Sequence, residues 1–174
     1  MRKSVLVLVG CLVLSAAPAW ALGAFSLFGT YAEVTEDNRA LGAGARFSLG
    51  SQRVMVDLTA TWFPGVSAGD FDEDLQVVPF DLGLRLVLAP GSALRPYVGA
   101  GVTYMAINLS ERDVDDPTGF YALAGLNIKA GDRKGVFLEA IYREADATVT
   151  DFDGSEFDED FGGIAGSVGF YWVF

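Results

Sequence analysis

The sequence predicts an all-β fold: an eight-stranded antiparallel up-and-down transmembrane β-barrel that follows a cleaved signal peptide. Three observations carry this prediction. First, the stretch Phe161–Phe174 alternates with period two. Ile164, Gly166, Val168, Phe170, Trp172 and Phe174 fall on one side, and Ala165, Ser167, Gly169, Tyr171 and Val173 on the other. This is the period of a strand, not of a helix. Second, the connections between such stretches alternate between compact basic ones and mostly longer acidic ones. Third, the charges inside the stretches lie opposite the apolar row. A soluble edge strand ending in Tyr171-Trp172-Val173-Phe174 would invite aggregation. Closure in lipid removes the edge, and lipid accepts the aromatic side chains.

Composition points the same way. The 174 residues fit one domain, and 51% of them are hydrophobic although the net charge is −11. Mean hydropathy is +0.33 and the isoelectric point is near 4.2. The only long apolar run is at the N-terminus, so the remaining apolar residues are diluted by alternation, as in a transmembrane barrel. The acidic balance excludes nucleic acid as a partner, because nothing would offset the phosphates. The chain has no histidine, which removes the usual general base and most transition-metal sites. Cys11 is the single cysteine, so no internal disulfide can form. Nothing calls for a cofactor.

Residues 1–21 read as a secretory signal peptide: Arg2 and Lys3, an apolar run from Val5 to Leu14, and the small-x-small site Ala19-Trp20-Ala21. The run is too short to span a bilayer as a helix. Leu8-Val9-Gly10-Cys11 resembles a lipobox, but cleavage there would leave apolar Leu12–Leu14 on the mature chain. The barrel domain is residues 22–174.

The predicted strands follow in order. Ala24–Val34 places Phe25, Leu27 and Tyr31 outward. Ala40–Leu49 sets Leu41, Ala43, Ala45, Phe47 and Leu49 against Gly42, Gly44, Arg46 and Ser48. Val54–Phe63 sets Val54, Val56, Leu58, Ala60 and Trp62 against Met55, Asp57, Thr59 and Thr61. Leu75–Leu88 sets Phe80, Leu82, Leu84, Leu86 and Leu88 against Asp81, Gly83, Arg85 and Val87, with Pro79 expected near the strand start or a bulge. Pro96–Ile107 opposes Val98, Ala100, Val102 and Tyr104 to Tyr97, Gly99, Gly101 and Thr103. Gly119–Ala130 opposes Ala122, Ala124, Leu126 and Ile128 to Tyr121, Gly125, Asn127 and Lys129. Val136–Thr148 opposes Val136, Leu138, Ala140 and Tyr142 to Glu139, Ile141 and Arg143. Phe161–Phe174 closes the barrel. Most stretches have about ten residues or more, enough to cross a bilayer at a tilt.

The connections Gly50–Arg53, Ala89–Arg95 and Gly131–Gly135 carry Arg53, Arg95, Arg133 and Lys134 against Asp132 alone. The other four are acidic. An up-and-down barrel predicts such alternation between short periplasmic turns and longer external loops. Arg46, Asp57, Asp81, Arg85, Lys129, Glu139 and Arg143 all fall opposite the apolar rows and form a predicted lumen charge network. On the lipid face an Arg or Lys would cost about 2–4 kcal/mol at the midplane. A soluble lipocalin-like binding barrel would have to turn every Leu and Val row inward, more than an eight-stranded interior holds.

Two motifs carry a family resemblance. Ser167, Gly169, Trp172 and the terminal Phe174 resemble the C-terminal signal of bacterial outer-membrane β-barrels, which implies recognition by the barrel-assembly machinery. Pro96-Tyr97-Val98-Gly99-Ala100-Gly101-Val102-Thr103-Tyr104 resembles a central strand of the small outer-membrane barrels: OmpW-like, OmpA-like transmembrane and opacity-type domains. The resemblance spans the chain. It implies an outer-membrane location with lipids and lipopolysaccharide as surroundings. Its members include adhesins, small pores and envelope-integrity proteins. The lipopolysaccharide-modifying barrels use histidine, which is absent here, so no enzymatic role is expected.

Phe71-Asp72-Glu73-Asp74 recurs as Phe157-Asp158-Glu159-Asp160 in two loops expected on one side. Asp151, Asp153, Glu156, Asp158, Glu159 and Asp160 are dense enough to hold a weakly bound divalent cation; as a solvated surface they would attract basic peptides or proteins. The functional expectation is a non-enzymatic barrel acting through its acidic external loops. The alternative is a narrow porin-like channel, in which glycines at 42, 44, 83, 99, 101, 125 and 169 leave space in the lumen.

Overall fold

The computed structural model describes residues 22–35, 38–67, 74–108, 117–150, 156–160 and 163–174. The signal-peptide reading of residues 1–21 lies outside them. The described segments form strands β1 (Leu22–Thr35), β2 (Asn38–Gly50), β3 (Val54–Ser67), β4 (Asp74–Val87), β5 (Leu94–Asn108), β6 (Thr118–Lys129), β7 (Lys134–Thr150), β8 (Glu156–Asp160) and β9 (Gly163–Val173). Each of β1 to β7 pairs antiparallel with the next. β9 then pairs with both β7 and β1, which closes the ring. Because the side-chain period is two, closure fixes one face outside and the other inside on every strand.

The strands run longer than the sequence predicts, chiefly at the loop end. The acidic connection after β7 shows why. Asp146–Thr150 pairs with Asp160–Glu156, so β8 prolongs the hairpin that β7 makes with β9. The expectation of a continuous loop over Val149–Asp160 is corrected here. Backbone pairing carries on past the bilayer because strand hydrogen bonds do not depend on side-chain polarity. β8 and β9 are the two described segments that pair with β7 and complete the barrel.

Pro79 is the sixth residue of β4, not its start. It pairs in register with Met105 of β5, while its missing N–H falls on the β3 side. There the pairing lapses between Ala60↔Phe80 and Phe63↔Val77, and the register shifts between Phe63 and Val66. A proline interrupts a ladder on one side, and the irregularity absorbs it.

The outer face is apolar. Leu82, Leu84, Leu86, Val98, Val102, Leu58, Leu138 and Val168 are all exposed, Leu84 at 59% and Val168 at 58%. Among strand residues whose side chains are described, outward charges are Glu33, Arg39 and Lys134, all near strand ends, and Glu144, which pairs with Phe120 near the start of β6. This is the reverse of a lipocalin-like barrel. Such a surface is stable only in hydrocarbon, where closure leaves no backbone edge unsatisfied. At one end the short turns Ser51–Arg53, Leu88–Ala93 and Ala130–Arg133 join strands. The chain's last described residue lies at that end too, where Phe174 N donates to Gly23 O at 2.9 Å.

Candidate functional site

The lumen gathers the buried charges of the described residues, and its inward rows are set by the alternation of the strands. Arg46, Asp57, Asp81, Arg85, Glu139 and Arg143 are all buried there, three cations against three anions. Arg46 of β2 meets Glu139 of β7 across the barrel. Nη1 donates to Oε2 at 2.8 Å, and Nη2 donates to Oε1. Arg143 of β7 meets Asp81 of β4, with Nη2 donating to Oδ2 at 2.7 Å and Nε to Oδ1 at 3.3 Å. Arg85 of β4 meets Asp57 of the adjoining β3. Its Nη2 donates to Oδ1 at 3.1 Å, and its Nε lies 2.9 Å from Oδ2, an ion-pair contact outside hydrogen-bonding alignment. Two of the pairs tie opposite walls, and the third staples neighbours. The planar fork of arginine matches a carboxylate with two parallel bonds, which suits this role better than lysine.

Neutral partners complete the network. Arg46 Nε donates to Thr59 Oγ1 at 3.1 Å, Tyr97 OH donates to Glu139 Oε2 at 3.0 Å, and Arg85 Nη2 donates to Ser48 Oγ at 3.0 Å. The Arg46 guanidinium lies 5.8 Å from the centroid of Phe28 and 5.5 Å from that of Phe137. The two rings meet edge to face at 6.0 Å. Arg85 lies 5.0 Å from the Tyr97 ring. These contacts hold the cations over aromatic faces, where the ring quadrupole attracts them.

Lys129 departs from the predicted network. Its parity is inward, but it ends β6 at the turn rim. Its side chain is 36% exposed and reaches Asp132 at 3.5 Å. The wall ends there, so water replaces the lumen partners. An exposed pair of this kind contributes little. Lys129→Gln is expected to change urea-unfolding stability in lipid vesicles by less than about 0.5 kcal/mol.

The glycines correct a second expectation: they do not leave space. A Cβ on Gly42 would strike the Phe63 ring, on Gly44 the Phe28 ring, on Gly83 the Tyr121 hydroxyl, and on Gly125 the Tyr97 ring. One on Gly99 would crowd Leu123, and one on Gly169 would meet Phe28 and Phe137. At Gly101 the obstacle is the backbone of Leu82 and Gly83. Each inward glycine is a seat for a neighbour. Tyr97, Tyr121, Phe28, Phe137 and Leu123 are thus lumen fillers that the sequence reading did not single out. A signal was available, since Tyr97 stands directly opposite Gly125, and Phe28 opposite Gly44 and Gly169.

Above the ion pairs, towards the loop end, the lumen turns apolar: Ala32, Ala40, Phe63, Val77, Met105, Ala145 and Ala165 are buried in one cluster. A cavity of about 30 Å³ lies among them, with Arg143 and Glu33 also on its wall. It has room on the order of a water molecule.

The four residues of the expected assembly signal lie on β9 or just past it. Ser167 faces the lumen and its Oγ donates to Thr30 Oγ1 at 3.0 Å. Gly169 seats the Phe28 and Phe137 side chains. Trp172 and Phe174 are exposed on the outer face. Of the acidic cluster, Asp151 and Asp153 lie outside the described residues, while Glu156, Asp158, Glu159 and Asp160 form β8. Among the described residues no group of three or more acidic or cysteine side chains is placed to hold a metal.

No protein-family model matches the chain, and no curated protein matches it in sequence. Solved structures do match. The outer membrane protein OprG from Pseudomonas aeruginosa superposes with a TM-score of 0.68 at 18% identity, covering 91% of this chain and 97% of that one. Neisserial surface protein A gives 0.63 at 13% identity, covering 90% and 98%. The Escherichia coli outer membrane protein W gives 0.55 at 16% identity, covering 87% and 98%. At these identities the likeness concerns the fold. A closed eight-stranded barrel that is apolar outside and ion-paired inside has the transmembrane-barrel fold of these outer-membrane proteins.

Proposed function

We propose that this is a non-enzymatic outer-membrane barrel whose lumen is a structural plug and whose work is done at its loop end. The seating of aromatic side chains on the inward glycines carries the reading. The space that a channel would need is taken by Tyr97, Tyr121, Phe28 and Phe137, and the charges that would select ions are spent on one another. Eight strands enclose an interior that side chains just fill. What is left to meet the outside is the acidic loop end, where Asp74, Asp146, Glu156, Asp158, Glu159 and Asp160 stand on the strands. Its partners in this reading are divalent cations, lipopolysaccharide bridged by them, or basic peptides. The β9 end, with Ser167, Gly169, Trp172 and Phe174, is the segment offered to the assembly machinery.

Planar-bilayer recording tests the plug. The refolded chain from Leu22 onward is expected to be silent, and Arg85→Ala is expected to remain silent because Tyr97 and Met55 still occupy the lumen beside it. Stable single-channel steps from the unaltered barrel, enlarged or made more cation-selective by Arg85→Ala, would replace the plug with a narrow channel.

A further inference from the structure

The outer wall is not uniform. Across β6, β7 and β9 one row of outward positions is small: Ala124 pairs with Ala140, and Ala140 with Gly166. An added Cβ on Gly166 would meet nothing within 4 Å. The row below, towards the turn end, is Leu126, Leu138 and Val168; the row above holds Tyr142 and Ile164. Ala124, Ala140 and Gly166, with Leu126, Leu138 and Val168 of the row below, line a shallow recess of about 630 Å³ on the outside of the barrel, walled mainly by apolar atoms.

At the foot of the same three strands the chemistry changes sign. The β6–β7 turn and its flanks carry Lys129, Arg133 and Lys134, all exposed, against Asp132 alone. Lys134 stands in register with Trp172 of β9, and the Arg133 carbonyl accepts a hydrogen bond from Val173 N at 2.7 Å, which fixes this turn to the β9 end. Trp172 and Phe170 form a ring pair at 6.5 Å just above it. From Lys134 to Leu138 and Ala140 is four and six residues along β7, about 13–20 Å at strand rise.

We propose that this face is a binding site for an anionic phospholipid. Its phosphate headgroup lies on Arg133 and Lys134, the tryptophan marks the interface, and one acyl chain lies along the wall into the recess over Gly166. The charge complementarity argues for this occupant. A neutral lipid would fill the recess equally well but would gain nothing from the cations, whereas basic residues beside an anionic headgroup each strengthen binding. The aromatic ring at the boundary between hydrocarbon and headgroup is where amphipathic rings settle. The small row gives the chain a place that the leucine-rich wall over β3 to β5 lacks, and a fitted tail gains contacts that a fluid neighbour does not keep.

Native mass spectrometry of the detergent-solubilised, folded barrel with added phosphatidylglycerol or phosphatidylcholine tests it. The expected result is one phosphatidylglycerol retained per barrel in preference to phosphatidylcholine. Arg133→Gln with Lys134→Gln should weaken retention about 30-fold, the loss of two surface cations from one headgroup. Gly166→Leu fills the recess from the lipid side, should leave heat-modifiable gel mobility unchanged, and should lower retention with both cations still present. Arg53→Gln, on the β2–β3 turn, should have little effect. Equal retention of the two lipids would overturn the proposal. So would an equal loss from Arg53→Gln and from the paired variant, which would make the turn end a diffuse basic collar. A barrel dimer abolished by Gly166→Leu would also overturn it, by assigning the recess to a second copy of this chain.

Discussion

Arg46→Met is expected to destabilise the folded barrel by about 3–5 kcal/mol, the usual consequence of removing one partner from a buried ion pair. The loss is large because of what stays behind. Glu139 is 7% exposed, and its two oxygens would keep the Tyr97 hydroxyl as donor while losing both guanidinium bonds. Thr59 would lose its donor, and the space over Phe28 and Phe137 would lose a cation. Methionine fills much of the volume, so the effect isolates charge and hydrogen bonding from cavity formation. Adding Glu139→Gln should recover most of the loss, because the double variant leaves no unpaired charge and a well-packed neutral core can match a buried pair. Arg46→Lys should fall between, since a point charge on a flexible stem cannot span both carboxylate oxygens. Urea titration of refolding into lipid vesicles, followed by tryptophan fluorescence and gel mobility, reads all three. A single-variant loss below about 1 kcal/mol would mean that water screens the pair as it does at a surface, and the lumen would then not be a closed plug.

The fold was legible in the sequence because a membrane barrel applies one rule to every strand. Lipid penalises a misplaced charge on the outside, so Arg46, Asp57, Asp81, Arg85, Glu139 and Arg143 could occupy only the other parity, and strict alternation revealed it. Strand identity, closure order and inside-outside assignment follow from that single constraint. What lies beyond the bilayer is not under it. There the hairpins run on, as β7 and β8 do between Asp146 and Asp160, and composition alone suggested a loop. Lys129 illustrates the same limit, since parity placed it correctly inward while only the end of the wall decided that it meets water. Which charge pairs with which was also hidden. Arg46 and Glu139 are 93 residues apart and meet because β2 and β7 stand across the lumen, which depends on barrel diameter and stagger. The glycines were misread for a related reason. A glycine looks like space until its cross-strand neighbour is known, and the neighbour here is repeatedly an aromatic ring.

That reading of the glycines yields the sharpest contrast between two substitutions of one kind. Gly101→Val is expected to abolish folding or to cost at least about 3 kcal/mol, at the upper end of overpacking. Gly166→Val should fold with nearly unchanged stability. Gly101 faces inward, opposite Gly83 across β4–β5. Its Cβ would collide with the Leu82 carbonyl oxygen and sit 2.5 Å from Gly83 Cα. Both obstacles are backbone of a paired strand, so no rotamer change relieves them and the ladder itself would have to part. Gly166 faces lipid with nothing within 4 Å of the same position, and valine adds β-branched surface to a pleated, apolar face. Intermediate behaviour is expected at Gly125→Ala, where the Tyr97 ring blocks the new methyl but Leu138 O also stands 2.7 Å away. Shortening Tyr97 should relieve only the first of these, and it removes the Glu139 hydrogen bond as well. Refolding yield by gel mobility, with urea midpoints for the variants that fold, orders the series. If Gly101→Val folded as readily as Gly166→Val, the inward glycines would not be seats in a filled interior. The lumen would then have the slack that a conducting barrel requires.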